Sequence, residues 1–282
     1  MRMLTLVLFG LTLMAAPGMA QAPAGFCGVE DLDQDTARWV ESLVKSLPRP
    51  EMRLAGSVQI PVAFHVVYAG TKGRVSDQQI ATLLNNLNAA YGDSPFSFHL
   101  ASVSRTNNKT WYGNCLSLKN EKTMKRRLAV DPRHTLNIYT CKTSNFPVTG
   151  GVLGYAYLPF MFPENSYMHG AVLHPALMPG GHPQVGVYGM IVGHELGHYL
   201  GLYHTFQGGC GATGDFVADT PDEGRPTGTC TAGTDTCPAF PGLDDVTNFM
   251  NYGDDLCMDH FTPGQIQRMV EQTSALRPGI YN

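Results

Sequence analysis

The segment GHELGHYLGLYH, residues 193–204, constrains this chain most, because it places three histidines and one glutamate in an otherwise apolar stretch. His194 and His198 are four residues apart, so on a helix both rings project from one face, one turn apart. That separation lets two imidazoles bind one tetrahedral ion. Glu195 follows the first histidine and therefore points near the ion without binding it, as a general base for a metal-bound water would.

The third histidine requires a break in the helix. A helix that continued past His198 would carry His204 away from the ion, and Gly201 lies between them. Glycine readily adopts the left-handed conformation that ends a helix, so we expect the chain to turn here and return His204 as a third ligand. Three protein ligands leave a fourth position open, which distinguishes a catalytic zinc from a closed structural one.

These residues carry a resemblance to a known class of enzymes. HELGHYLGLYH matches the H-E-x-x-H-x-x-G-x-x-H signature and resembles the zinc site of the metzincin metallopeptidases. In NFMNYGDDLCMDHFTPGQIQRM, Met250 resembles the methionine of the Met-turn beneath the zinc. Tyr252 resembles the tyrosine that in several metzincins moves between the metal and the reaction intermediate. The segments GLYHTF, GDFVADTP and NFMNY are most similar to the ulilysin-like members of the pappalysin family.

The resemblance implies a fold and an activity. It implies an α+β fold of the zincin type: a mixed twisted sheet with the active-site helix in the N-terminal lobe, and an irregular, disulfide-stabilised C-terminal lobe. It also implies one catalytic Zn²⁺ and an endopeptidase that cuts protein or peptide substrates with a zinc-bound water activated by Glu195. A secreted binding module with a structural zinc, and a zinc hydrolase of non-peptide amides, are the alternatives; the first leaves Glu195 unexplained.

The N-terminus has the features of a secretory signal: Arg2, an apolar run over residues 4–14 and an A-x-A cleavage pattern at residues 20–22. We predict a signal peptide over residues 1–22, a short prosegment over residues 23–56 and a catalytic domain over residues 57–282. The apolar run is too short to span a bilayer comfortably, so we expect a secreted protein without stable membrane insertion after cleavage. A net charge of −4, with no Lys/Arg block interleaved with aromatics, argues against a nucleic-acid partner.

Seven cysteines suit an oxidising compartment. Four of them lie in a C-terminal region rich in Gly, Pro, Asp and Thr that has little periodicity. Sequence alone permits three pairings of four cysteines, and the family resemblance implies Cys210 with Cys237 and Cys230 with Cys257.

The remaining cysteines are Cys27, Cys115 and Cys141. Pairing of Cys115 with Cys141 would leave Cys27 free just after the signal peptide. A thiolate there could bind the zinc at its fourth position until the prosegment is removed, a cysteine switch of the kind known among metzincin zymogens. A disulfide from Cys27 to either of the other two is the alternative.

The segment GDFVADTPDEG gathers Asp215, Asp219, Thr220 and Asp222. Oxygen-rich loops suit Ca²⁺, and the resemblance to ulilysin-like enzymes implies calcium near this position. A solvated acidic turn fits the same residues, because their spacing matches no known calcium loop.

Hydrophobic periodicity and caps predict the other elements. Helices are expected within residues 33–50, 76–92, 187–201 and 261–276, and strands within residues 57–70, 96–105, 135–141, 151–159 and 170–174. Ser76 with Gln79, and Thr262 with Gln265, have the spacing of capping boxes. In the strand at 96–105, Phe96, Phe98 and Leu100 alternate as on a half-buried strand. The family resemblance makes residues 151–159 the sheet edge above the cleft.

Overall fold

The computed structural model describes residues 26–48, 57–146, 151–183, 186, 188–211 and 214–282. The predicted signal peptide and both ends of the predicted prosegment lie outside these ranges. The helices are α1 (Gln34–Ser46), α2 (Asp77–Ala90), α3 (Lys109–Gly113), α4 (Leu118–Leu128), α5 (Met190–Tyr199) and α6 (Pro263–Leu276). The strands are β1 (Val58–Tyr68), β2 (Phe96–Asn107), β3 (Leu136–Thr140), β4 (Gly154–Ala156) and β5 (Ala171–Leu173). None of the helices in the described ranges is long and apolar enough to cross a bilayer.

The five strands form one mixed sheet in the order β2-β1-β3-β5-β4. β1 pairs in parallel with β2 and β3, β3 pairs in parallel with β5, and β4 pairs with β5 in the antiparallel sense. The predicted mixed sheet is confirmed, and the segment expected at the sheet edge contains the edge strand β4.

The main core joins this sheet to α2 and α5. It includes Ile60, Val62, Phe64 and Val66 of β1, Ile80, Leu83 and Leu87 of α2, and Ile191, Val192 and Leu196 of α5, all buried. Burial of each such side chain stabilises the fold by about 1.5–3 kcal/mol relative to exposure. This apolar layer fixes α5, which carries the histidines, against the sheet.

The alternation predicted for β2 holds only at its start. Phe96 and Phe98 are buried, but Leu100 is exposed, so the prediction for Leu100 is wrong. The register between β1 and β2 shifts at this point: Val62 is opposite Leu100, whereas Ala63 is opposite Ser102. An extra residue in one strand interrupts the alternation of faces, and this irregularity is not visible in the hydrophobic pattern.

The predicted helix ends are confirmed where capping residues marked them. Both capping boxes form, Ser76 with Gln79 at α2 and Thr262 with Gln265 at α6. α4 was not predicted, because its buried face combines an ion pair with a single buried apolar side chain, Met124. There Lys125 Nζ lies 2.9 Å from Glu121 Oε1, and both side chains are fully buried.

The C-terminal lobe has little regular structure before α6 and is crossed by two disulfides, Cys210–Cys237 and Cys230–Cys257. These are the two pairs that the resemblance implied. A third disulfide joins Cys115 to Cys141. All seven cysteines lie in the described ranges, and Cys27 is the free one.

Residues 26–48 cross the face of the domain that carries the histidines. Residues 26–28 reach β4, and α1 then packs against α6. Glu41 of α1 and Arg268 of α6 form an ion pair of 2.7 Å, with only 15% and 6% of their side chains exposed. The N-terminal segment is therefore part of the folded structure.

Candidate active site

The end of α5 sets the position of the third histidine. The helix stops at Tyr199, and Gly201 follows with φ +105°, a conformation that favours glycine. A Cβ at Gly201 would lie 2.5 Å from Cβ of Gln272 on α6, so space also requires glycine. The predicted turn after the helix is confirmed.

The turn brings the three histidine rings together. Nε2 of His198 lies 3.1 Å from Nε2 of His194 and 3.1 Å from Nε2 of His204. All three residues are buried. The site is thus a compact, buried cluster of ring nitrogens.

The contacts of the Nδ1 atoms of His194 and His198 determine which tautomer of each ring is present. Nδ1 of His194 lies 2.7 Å from the carbonyl oxygen of Phe249, and Nδ1 of His198 lies 2.8 Å from that of Leu202. A carbonyl oxygen only accepts, so each Nδ1 must donate and each Nε2 is left with a lone pair. Burial lowers the pKa of both rings well below 6.5, which keeps them neutral.

His204 is oriented by a residue of the N-terminal segment. Its Nδ1 lies 2.8 Å from Oδ1 of Asp31. A histidine that donates to a carboxylate presents a more basic Nε2 to a metal. No sequence motif predicted a role for Asp31, which lies 173 residues before His204.

The cluster fits a zinc ion. Three acceptor nitrogens that face one another at this distance repel, unless a cation lies between them. Within the described residues, the ligand atoms of His194, His198, His204 and Cys27 all lie within 4.8 Å of one another. Imidazole and thiolate are the ligands that zinc prefers.

Glu195 lies beside this cluster and is buried. Oε1 has no hydrogen-bond partner among the described residues, and Oε2 lies 3.5 Å from Sγ of Cys27. Burial raises the pKa of Glu195 to about 8. A Cβ at Gly154 would lie 2.9 Å from Cγ of Glu195, so the edge strand β4 packs directly against the glutamate.

Residues 26–28 meet that edge in a single parallel bridge, between Cys27 and Gly154. The carbonyl oxygen of Phe26 accepts from the amides of Leu153 at 2.6 Å and Gly154 at 3.1 Å, and Gly28 N–H donates to Gly154 at 2.8 Å. Cys27 between them is buried, and burial raises the pKa of its thiol well above the usual value. The N-terminal segment therefore lies in the cleft, next to the histidines.

This geometry can be compared with known proteins. The family model described as pregnancy-associated plasma protein-A, peptidase family M43, matches residues 129–274. An extracellular metalloprotease of Verticillium alfalfae is 36% identical over 264 residues, which cover 90% of this chain and 92% of that protein. The chain belongs to the pappalysin family. A second relative of this pappalysin, an extracellular metalloprotease of Arthroderma otae, is 33% identical over 279 residues, 98% of this chain and 99% of the relative.

Solved structures agree with this assignment. A variant of Tannerella forsythia promirolysin has a TM-score of 0.71 and 26% identity, and the match covers 88% of this chain and 89% of that one. Mature mirolysin of the same organism, in complex with a cleaved peptide, has a TM-score of 0.65 and 26% identity. The match covers 80% of this chain and 99% of that one. The pappalysin is thus an extracellular zinc metallopeptidase with the metzincin fold, and the binding-module alternative is set aside.

Met250 and Tyr252 both lie at the histidine cluster. Met250 packs beneath α5 against Gly197, where an added Cβ would collide with the methionine sulfur. The ring centroid of Tyr252 lies 5.1 Å from that of His204 and 4.7 Å from that of Phe26. Burial raises the pKa of Tyr252, which keeps its hydroxyl protonated.

The residues predicted to bind calcium have other contacts. Asp215 Oδ1 accepts from Val217 N–H at 3.0 Å and from the Thr220 hydroxyl at 2.9 Å. Asp219 accepts from the Thr262 hydroxyl at 2.7 Å and from the amide of Gly264, in the first turn of α6, at 2.8 Å. In the described part of the pappalysin, these two and Asp222 do not converge as one group of ligand atoms.

Glu223 is a further buried acid near the site to which the sequence assigned no role. It accepts from the Thr205 hydroxyl at 2.5 Å and from Asn251 Nδ2 at 2.8 Å. Burial raises its pKa to about 7. The glutamate thereby ties the segment after His204 to the segment that carries Met250.

Proposed function

We propose that this pappalysin is an endopeptidase in which His194, His198 and His204 hold the zinc and Glu195 is the general base. The observation that carries the proposal is the convergence of three Nε2 lone pairs beside a buried carboxylate. When bound, zinc supplies Lewis acidity that lowers the pKa of water and polarises the scissile carbonyl.

Glu195 moves the proton. Its buried carboxylate, with one oxygen unpartnered among the described residues, can accept a proton from the attacking water and pass it to the leaving amine. Burial raises the pKa of this carboxyl to about 8, and a bound cation nearby would act in the opposite direction.

Tyr252 stabilises the oxyanion that develops on the scissile carbonyl. Its hydroxyl stays protonated and can donate a hydrogen bond from the His204 side of the site. Loss of one such donor typically costs about 2.7–4 kcal/mol of transition-state stabilisation. Met250 supports the histidines by packing and does not bind the metal.

The substrate adds to the edge of the sheet. β4 is an edge strand, and residues 26–28 already hydrogen-bond to it beside Glu195. An extended substrate peptide can use the same backbone groups once those residues are gone. The complex of mature mirolysin with a cleaved peptide supports a protein or peptide substrate.

The full-length chain is a zymogen with Cys27 as the latch. The latch is supported by the Cys27 sulfur, which lies within 4.8 Å of the histidine ligand atoms, because a thiolate is a zinc ligand that could take the fourth position. Residues 1–22 would be removed as a signal peptide and residues 23–56 as the prosegment, which leaves residues 57–282 as the mature enzyme. The larger coverage by promirolysin than by mature mirolysin, 88% against 80% of this chain, supports this division.

Calcium binding at residues 215–222 stays a prediction. Its support is the buried carboxylate of Asp215, whose pKa burial raises to about 7 and which a cation would stabilise in its charged form. Calorimetric titration of Ca²⁺ into chelator-treated protein tests the site, and the absence of binding heat together with an unchanged Tm would remove it.

The activity itself is tested by cleavage of casein or gelatin. Protein that begins near residue 57 is stripped with a chelator and assayed before and after one equivalent of Zn²⁺, with cut sites identified by mass spectrometry. We expect cuts that disappear with the chelator and return with zinc. Turnover of small amides with no peptide cleavage by the zinc-loaded protein would instead favour the amide hydrolase.

A further inference from the structure

The active-site helix has no cap in its own sequence. Its N-cap residue is Gly189, at φ +80°, which has no side chain to accept a hydrogen bond. The first amides of a helix have no partner within the helix and must be satisfied from outside. By contrast, α2 and α6 each begin with a capping box supplied by their own residues.

Asp255 supplies the cap of α5 from a distant part of the chain. Oδ1 accepts from the amides of Met190 at 2.6 Å and Ile191 at 3.3 Å. Oδ2 accepts from the amides of Tyr188 at 2.6 Å and Gly189 at 3.3 Å. Asp255 is only 1% exposed, so this carboxylate depends on those four amides and on the positive end of the helix dipole.

Asp255 lies in the same chain segment as Tyr252, so its cap connects the N-terminus of α5 to that segment. Asp255 follows Tyr252 by three residues and precedes Cys257, which is fixed by its disulfide to Cys230. The same segment reaches α5 again through the carbonyl oxygen of Phe249, which lies 2.7 Å from Nδ1 of His194. The helix and this segment are therefore held together both at the helix N-terminus and at the first histidine.

We propose that Asp255 is a positioning residue for the reaction: it fixes α5 along its axis relative to the segment that carries Tyr252. Glu195 and the first two histidines lie on α5, whereas Tyr252 lies on the other segment, so their mutual placement depends on this junction. The proposal rests on the function proposed above. It gives the carboxylate a role that neither the zinc-binding motif nor the Met-turn assigns.

The test uses Asp255→Asn, which keeps the side-chain volume but removes the charge and replaces one acceptor oxygen with an NH₂ group. Asp255→Ala removes the cap entirely. Ser76→Ala is the matched control, because it removes the cap of α2 at an exposed position away from the site. Each mature protein is measured well below its own Tm for kcat, KM and zinc affinity by chelator competition.

We expect kcat to fall about tenfold in Asp255→Asn and further in Asp255→Ala, while KM changes less than about twofold. Zinc affinity should weaken about tenfold, the effect typical of lost support behind metal ligands. Ser76→Ala should lower Tm and leave kcat and zinc affinity as in the wild type.

Three results would overturn the proposal. The first is a lower Tm in Asp255→Asn with wild-type kcat and zinc affinity. The second is failure of both Asp255 variants to fold while Ser76→Ala folds, since the contact would then serve the fold and not the site. The third is an equal loss of kcat in the control. If the wild type cuts no peptide, the proposed function fails, but zinc affinity still decides the role of Asp255.

Discussion

The thiol sulfur of Cys27 lies 3.5 Å from Oε2 of Glu195. The proposed latch thus contacts the proposed base as well as facing the histidines. In the proposed zymogen this contact would keep both the fourth zinc position and the carboxylate from a substrate. The proposed inhibition would therefore act on two catalytic groups through one side chain.

Replacement of the latch should activate the uncut chain. In Cys27→Ser the weaker oxygen ligand replaces the thiolate, so we expect full-length protein to cleave peptide at least about tenfold faster than the full-length wild type. Mass spectrometry of the sample must find the prosegment intact during the assay. An inactive Cys27→Ser variant with normal zinc content would contradict the latch.

The ion pair between Glu41 and Arg268 should control how firmly the prosegment is held. Removal of one partner of a buried pair costs about 3–5 kcal/mol, so Glu41→Gln should release α1 and speed cleavage of the full-length chain by an added protease. Asp35→Asn is the matched control, since its pair with Arg38 is exposed and should contribute little. Equal cleavage rates for the wild type and both variants would show that α1 is held by other contacts.

His260 should make stability depend on pH. Hydrogen bonding to Asp245, with a further contribution from Asp259, raises the pKa of His260 to about 9. A histidine with a raised folded-state pKa contributes stability that is complete below its unfolded pKa of 6.5 and is lost as pH rises through about 9. Because the side chain is 41% exposed, we expect about 1 kcal/mol or less.

The measurement is Tm at about pH 6 and about pH 9.5 for the wild type and His260→Gln. The difference in Tm between the wild type and the variant should be larger at the lower pH, because only there is the imidazolium of the wild type fully formed. A gap that stays constant with pH would mean that the ion pair does not stabilise the fold.

Gly154, which packs against Glu195, should be needed for catalysis. In Gly154→Ala the new Cβ would lie 2.9 Å from Cγ of Glu195, so the carboxylate must move. A displacement near 1 Å can cost about a hundredfold in rate, and we expect at least a tenfold loss of kcat with zinc retained. Gly113→Ala is the control because nothing lies within 4 Å of its added Cβ. A normal kcat in Gly154→Ala would show that β4 moves and that the Glu195 carboxylate keeps its position.

Local patterns in the sequence predicted the parts of the fold that local physics determines. The helix spacing of His194 and His198, the turn at Gly201 and the capping boxes each depend on residues a few positions apart. α4 was missed because Glu121 and Lys125 are buried as a pair beside Met124, and one buried apolar residue does not make an apolar stripe.

Long-range contacts explain most of the rest. Asp31 and Asp255 act on residues 173 and about 65 positions away, and an aspartate among other acidic residues does not reveal which helix or histidine it will meet. The exposed Leu100 has a similar cause, since it follows from the register between β1 and β2 and not from β2 alone. The zinc-binding motif could be predicted from the sequence because its three histidines lie within one helix and the turn that follows it.

The most direct test of the account is the activity of Glu195→Gln. Mature wild type and variant are loaded with one equivalent of Zn²⁺, matched for zinc content and Tm, and assayed on one peptide identified from the casein cuts. Because glutamine cannot accept the proton, we expect the variant to bind zinc normally and to lose at least about a hundredfold in kcat, the contribution typical of a general base. Wild-type turnover by a zinc-loaded Glu195→Gln enzyme would remove Glu195 from the mechanism and contradict the account.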